Sequence, residues 1–416
     1  MSVIDRIELY YATTPLPAPF SPAWIPGASR AETSFYLIHL VTDDGVEGWS
    51  AMAGTGPEKA GIGHPIANLF LGQDPTDIPA IRERIKILAT NGNRNMWIEP
   101  AFWDIKAKLA GKPVYELLGG AAVPITLYAS AGEVKEPAAR IEEAWQRHEE
   151  GFRTFKIRVH DWDEAVDIRQ IQETARALAG KMDIAVDCNQ AFRLTQFAPA
   201  PLWDLARAKR FADAAEAALA WIEEPLYGEW YADMAELTAY SKVPISGGEL
   251  HTAGLPELEY MIEKKCYAIF QPDAMWTGGI DDGMAIARLC RRHGVGFNPH
   301  TWSNGIGFAV NMNILLASGF VNEQPFEYPY DPPCWTVEAR DALLAEPWRH
   351  DNGVLDPPTS PGLGFDIDRA ALSRYAKCFY TADRVSRHWM PDAFSAFDIP
   401  GDVPGDVPGD VPGERR

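Results

Sequence analysis

Between Ile125 and Pro329 a short apolar run recurs eight times, usually followed by a polar turn and a stretch of helical spacing. The runs are ITLYAS, FRTFKIRV, MDIAVDC, LAWIEE, VPISGG, YAIFQP, VGFNPH and QPFEYP. A strand–helix repeat implies a parallel sheet with right-handed crossovers, and eight such units imply a closed barrel. An open doubly wound sheet is the competing architecture, but no Gly-rich phosphate fingerprint follows the first strand. Pro137–Glu150 and Asp163–Ala179 are the clearest helices, with apolar residues three and four apart. The chain therefore reads as α/β, a TIM-like (β/α) barrel over 123–330 preceded by an α+β unit.

The α+β unit is placed at 1–122. A strand at Ile4–Tyr11 precedes a Pro-rich loop, Pro15–Gly27. Thr33–Thr42, a turn at Asp43–Gly45 and Val46–Ser50 read as a hairpin. Ala51–Gly63, with four glycines, has the composition of a mobile loop. Helices follow at Asp77–Leu88, with Asp77 as N-cap and Pro79 in the first turn, and at Glu99–Leu118, stopped by Gly119–Gly120. Residues 331–395 lack clean repeats, include helical material near Arg369–Lys377, and are expected to pack back on this unit and the barrel. The PGDV repeats of 396–416 cannot bury a core and read as a flexible tail.

In such a barrel the chemistry lies where strands end. The second run ends in Lys156-Ile-Arg158, the third in Asp187-Cys-Asn189 and the fourth in Glu223-Glu224-Pro225. The next four end in Glu249, Asp273, His300 and Glu327. These groups are spaced by about one strand–helix unit each, so they share one rim. Asp187, Glu223 and Glu249 come from consecutive strands, and three converging carboxylates repel unless a cation lies between them. Hard oxygen donors suit Mg²⁺, whereas zinc would call for His or Cys. A lone acid would more often be a salt-bridge partner; three in succession are not explained that way. Asp273 beside His300 fixes an imidazole tautomer and raises its basicity, the arrangement of a general acid or base. Lys156 and Arg158 are two apart on a strand and point to one face, into the barrel. A structural ion-pair network remains open for Arg158. His251 is placed either at the site or on a loop, and the other histidines read as packing.

Composition sets the limits on partners. The chain has 38 Lys+Arg against 58 Asp+Glu, a formal charge of -20, with no basic cluster, which excludes nucleic acid as a partner. No apolar stretch is long enough for a membrane span, and Asp5, Arg6 and Glu8 stand where a signal peptide needs apolar residues. Cys188, Cys266, Cys290, Cys334 and Cys378 are odd in number with no close pairing, the usage of a reduced, cytoplasmic protein.

The stretch AFWDIKAKLAGKPVYELLGG (101–120), then FKIRV, VDCNQAF, WIEEP, SGGEL, QPDAMWTGGI and NPHTWSNGIG, in that order, resembles the enolase superfamily, within the mandelate racemase-like subgroup. The resemblance covers about residues 1–375 and implies an α+β capping domain, built from both chain ends, over a modified TIM (β/α) barrel. It implies Mg²⁺ held by Asp187, Glu223 and Glu249, with Glu224 as the second-choice ligand. It also implies abstraction of the proton α to a carboxylate, giving an enediolate held by the metal and Lys156. His300, oriented by Asp273, resembles the family's base on one face. Glu327 matches a carboxylate that hydrogen-bonds the enediolate and must be protonated to donate. Asn189 is similar to the residue that contacts the α-hydroxyl.

One departure bears on the reaction. The subgroup's usual second Lys on strand two is Arg158 here, and Arg cannot readily cycle a proton. Racemisation needs a base on each face, whereas syn dehydration needs only His300, with Arg158 orienting the substrate carboxylate. The expectation is a dehydratase of sugar acids (aldonates or aldarates) giving a 2-keto-3-deoxy acid, acting as a homo-oligomer. The alternatives are a racemase, epimerase or cycloisomerase with Lys156 as base, and a non-catalytic sugar-acid binder. Specificity is expected in the cap loops Pro15–Glu32 and Ala51–His64, with Trp24, Met52 and His64 as substrate contacts.

Overall fold

The computed structural model describes residues 2–54, 56–89, 95–195 and 197–394. The repeat tail lies outside them. The cap is an antiparallel sheet in which β1 (Ile4–Phe20) runs between β2 (Arg30–Thr42) and β13 (Ala376–Asp383), with β3 (Glu47–Ala53) and β14 (Arg387–Trp389) at its edges. The C-terminal segment thus returns to complete the cap sheet. β1 continues through the expected Pro-rich loop as far as Phe20. The reason is its pairing: β13 covers only Arg6–Ala12, so beyond Ala12 one edge of β1 is free. Pro15, Pro17 and Pro19 occupy that half, where a missing N–H costs least.

Asp77 caps the helix Ile78–Leu88 as expected, accepting from the Ala80 N–H, and Ile78, Ile81, Ile85 and Leu88 form its buried stripe. The helix expected at Glu99–Leu118 is instead two pieces, Glu99–Leu109 and Val114–Leu117. Gly111, at φ +65, and Pro113 interrupt it. The Gly-rich stretch is more ordered than its composition implies: β3 extends to Ala53 and a helix begins at Gly63. Gly63 is needed for packing, because a Cβ there would run into the Tyr380 ring.

All eight barrel runs become strands. They are β4 (Ile125–Ser130), β5 (Thr154–Arg158), β6 (Asp183–Asp187), β7 (Ile222–Glu223), β8 (Ile245–Gly247), β9 (Ile269–Phe270), β10 (Gly296–Phe297) and β11 (Phe326–Pro329). They pair in parallel in the order β10-β9-β8-β7-β6-β5-β4-β11. A short β12 (Val354–Leu355) adds antiparallel to β4. Among the described residues β10 and β11 share no ladder. Their seam is bridged by Asn298 Nδ2 to Pro325 O (2.9 Å) and by Thr301 N to Glu327 Oε2 (2.8 Å).

Register brings the rim into one layer. Arg158 pairs with Asp187, Asp187 with Glu223, and Glu223 with Ser246. Two residues before Asp187 and Glu223 lie Ala185 and Trp221, which with Tyr128 and Ile269 form an apolar cluster, while two before Arg158 lies Lys156, paired with Ala185. The period of two therefore sets Asp187 and Glu223 over apolar residues, with Lys156 the charged member of the layer beneath.

Two junctions seat the cap. Arg82 bonds both Glu99 and Asp282, and Glu99 also accepts from the Ile280 N–H. At the mouth, the segment after β1 is tied down by Ser21 N to Glu133 Oε1 (2.7 Å) and Ala23 N to Gly132 O (2.9 Å).

Candidate active site

Lys156 and Arg158 stand at the centre of the rim, both buried. Lys156 Nζ lies 2.6 Å from Glu223 Oε1, 2.8 Å from Glu327 Oε1 and 3.9 Å from Asp187 Oδ2. Burial opposes its charge, but Glu223, Glu327 and Asp187 outweigh burial and hold its pKa above the ordinary lysine value. Lys156 is thus held toward its charged form in this arrangement. Arg158 bonds Asp187 through Nη1 and donates through Nε to Ala131 O at 2.7 Å. Its guanidinium lies 5.4 Å from the Trp24 ring and 5.7 Å from that of Trp302.

The acids do not converge as a bare trio. Each is neutralised by its own base: Asp187 by Arg158, Glu223 by Lys156, and Glu249 by His300 Nε2 at 2.9 Å. Glu224 differs: among the described residues its Oε1 has no donor. It is buried, with its backbone in the left-handed region (φ 46). Burial first, then Glu249, Asp187 and Glu223, push its carboxyl well above the usual range. Glu223 is raised to about 7 by burial and the neighbouring acids, against the pull of Lys156. The site thus gathers more carboxylates than bases. A buried carboxylate oxygen without a donor, beside other hard oxygens, fits a divalent cation such as Mg²⁺.

His300 is held at both ring nitrogens. Nδ1 lies 3.1 Å from Asp273 Oδ2, while Nε2 faces Glu249 and lies 3.8 Å from Glu327 Oε2. Burial would lower its pKa, but Glu249, Glu327 and Asp273 raise it well above the ordinary value. The surrounding acids thus favour the charged form of the ring in this arrangement. Asn189, at φ 47, accepts from Arg158 Nη1 at 3.3 Å and donates to Asp187 Oδ2 at 3.1 Å.

Glu327 departs from the expectation of a protonated donor. Its oxygens accept from Ser130 Oγ (2.9 Å), Lys156 and the Thr301 N–H (2.8 Å). Burial would raise its pKa, yet Lys156 and His300 outweigh burial and hold it at about 2. It is an ionised acceptor here.

Of the cap residues, Trp24 reaches the site, packing on Trp302 with ring centroids 5.1 Å apart. His64 does not: its Nδ1 lies 2.9 Å from the Tyr380 hydroxyl, and Tyr380 pairs with Leu9, well back along β1 from Phe20. Met52 is buried in the cap core. His251 is bound to Glu257 at 2.8 Å, a local contact. Residues that an inventory of ionisable strand ends overlooks also belong here. Ser130 ends β4 and links Trp302 Nε1 (2.8 Å) to Glu327, and Gln271 Nε2 holds Glu223 Oε2 at 2.9 Å.

Residues 139–371 match the family described as Enolase C-terminal domain-like, and residues 7–119 match Mandelate racemase / muconate lactonizing enzyme, N-terminal domain. The chain belongs to the mandelate racemase-like subgroup of the enolase superfamily. Within that superfamily it is 28% identical over 386 residues to the D-galactarolactone cycloisomerase of Agrobacterium fabrum, covering 89% of this chain and 98% of the relative. It is 29% identical over 385 residues to the L-talarate/galactarate dehydratase of Salmonella typhimurium, covering 88% and 90%. A solved enolase from alpha pretobacterium bal199 with bound Mg superposes at TM-score 0.76 with 23% identity, covering 91% of this chain and all of that one. The two curated relatives are named a cycloisomerase and a dehydratase, and the solved enolase shares this chain's fold.

Proposed function

We propose that this protein is a Mg²⁺-dependent dehydratase of sugar acids, aldonates or aldarates, forming 2-keto-3-deoxy acids. The observation that carries the reading is asymmetry: His300 sits on Asp273 as a titratable base, while a permanent cation, Arg158 on Asp187, stands where the subgroup's usual second Lys would serve racemisation. Asp187, Glu249 and the Glu223–Glu224 pair would hold the ion. When bound, it supplies Lewis-acid stabilisation of negative charge developing on the substrate carboxylate.

The chain's own residues do the rest. His300, once neutral, removes the α-proton through Nε2, and the electron pair of that C–H bond moves into the carboxylate to give an enediolate. Lys156 faces the growing negative charge at fixed distance, a preorganised donor that needs no reorientation. The enediolate then expels the β-hydroxyl as water, protonated by the same imidazolium, and the resulting enol becomes the keto acid. Arg158 orients the substrate carboxylate, and Trp24 with Trp302 keeps water from its guanidinium.

A second reading, cycloisomerisation of a sugar lactone, is favoured by the Agrobacterium fabrum relative. It would use the same base without loss of water. Incubation with Mg²⁺ and a panel of sugar acids and lactones, scored for keto acid, tests the choice. Keto acid from an open-chain acid supports dehydration. Isomerisation of a lactone without loss of water, with no keto acid from any open-chain acid, overturns it in favour of the second reading.

A further inference from the structure

The helix Gly305–Ser318 is apolar almost all round, yet it buries two asparagines completely. Asn313 serves packing: its Oδ1 accepts from the Tyr115 N–H (3.0 Å), and its Nδ2 donates to Ala309 O (2.8 Å) and Leu363 O (3.1 Å). Asn311 is engaged differently. Its Nδ2 donates to Asp273 Oδ1 at 2.9 Å and to Gly307 O at 3.3 Å, and its Oδ1 accepts from the Ala274 N–H at 3.0 Å. Asp273 Oδ1 also accepts from the Met275 N–H at 2.9 Å. One oxygen of Asp273 is thus fully occupied, and only Oδ2 remains for His300 Nδ1.

A carboxylate held at one oxygen by two donors cannot rotate about its Cβ–Cγ bond without breaking both. We propose that Asn311 is a positioning residue of the Asp273–His300 pair. It fixes which oxygen of Asp273 meets Nδ1, and so fixes the imidazole orientation that presents Nε2 to substrate. The inference rests on His300 being the base, and it assigns the work of orientation to a helix that carries no reacting group. Partners that orient a metal-ligating histidine typically contribute about 10- to 100-fold, and the same scale is expected for a partner that orients a base.

The test is a double-mutant cycle using Asn311→Leu, Asp273→Asn and the pair, with α-proton exchange or keto-acid formation as the rate. In the wild-type background Asn311→Leu should lower kcat by roughly 10- to 100-fold and leave KM within about twofold. In the Asp273→Asn background it should cause no further loss, because the effect passes through that carboxylate. Losses that multiply in the double variant, or an unchanged kcat, overturn the proposal. Asn311→Ser, which keeps a small polar side chain, supplies the same comparison if the leucine variant does not fold.

A substrate-free readout separates this proposal from the reading beneath it. The low-field proton line of His300 Nδ1–H, assigned by its loss in His300→Asn, should shift or broaden in Asn311→Ser while staying sharp in the wild type. An unmoved line overturns the positioning role. If wild-type protein exchanges no α-proton on any acid, His300 fails as the base, yet the line still tests whether Asn311 sets its orientation.

Discussion

In the proposed reaction the chemistry is concentrated in two side chains that answer opposite needs. His300 can change protonation state, because Asp273 fixes Nδ1 and leaves Nε2 toward the site. Arg158 cannot, because the always-charged guanidinium is spread over Asp187, Ala131 O and two indole faces. His300→Asn should therefore lower α-proton exchange by about 10²- to 10⁴-fold, the usual contribution of a positioned acid or base. Stopped-time NMR of the exchange checks it. Arg158→Lys keeps the charge but cannot make the fork of bonds to Asp187 and Ala131 together. One lost charge-assisted bond of about 1.5–3 kcal/mol predicts KM raised about 10-fold or more, measured by initial rates. At this scale the acids and His300 were legible because strand ends in a barrel share a rim. Ser130, Gln271 and Asn311 were not, because nothing ionisable marks them. Asn311 did leave a trace, as a polar residue inside an apolar helix run.

Among the elements, the junction of cap and barrel rests on the helices Ile78–Leu88 and Glu99–Leu109 meeting the turn at Gly278–Gly279. Glu99 is fully buried and, although Arg82 pulls the other way, burial raises its pKa to about 8. Gly279 has φ +78, and a Cβ there would strike the Glu99 carboxyl. Arg82→Met would remove a cation shared by Glu99 and Asp282 and should lower stability, read by urea unfolding. Glu99→Gln in the same chain should recover part of the loss. Strand order was legible from the repeat alone. The continuation of β1 to Phe20 was not, since three prolines signal a loop unless one edge is known to be unpaired. The break at Gly111–Pro113 was written in the residues, but the apolar spacing on either side masks it.

For the molecule as a whole, the charge of -20 is compatible with an anionic substrate, because Lys156, Arg158 and a cation-seeking acid cluster make a local field that departs from the average. Among the described residues no helix is long and apolar enough to cross a membrane. Stability against acid has an identifiable contributor where the barrel ring is locked to the strap of the cap. Burial would raise the pKa of Asp331, but Arg140, Glu143, Lys135 and the Gly132 N–H together hold it at about 2, below its ordinary value of 3.8. A depressed carboxyl adds stability that is complete above about pH 4 and is lost as pH falls toward about 2. Asp331→Asn should flatten that loss in denaturant melts across the same window.

The central claim is that one histidine removes a proton next to a carboxylate and water then leaves. Turnover of an active sugar acid in D₂O with Mg²⁺, followed by proton NMR in wild type and His300→Asn, tests it most directly. A 2-keto-3-deoxy product is expected in the wild type, lost on chelation and lowered about 10²-fold or more by His300→Asn. Turnover in His300→Asn within about tenfold of the wild-type rate would contradict this.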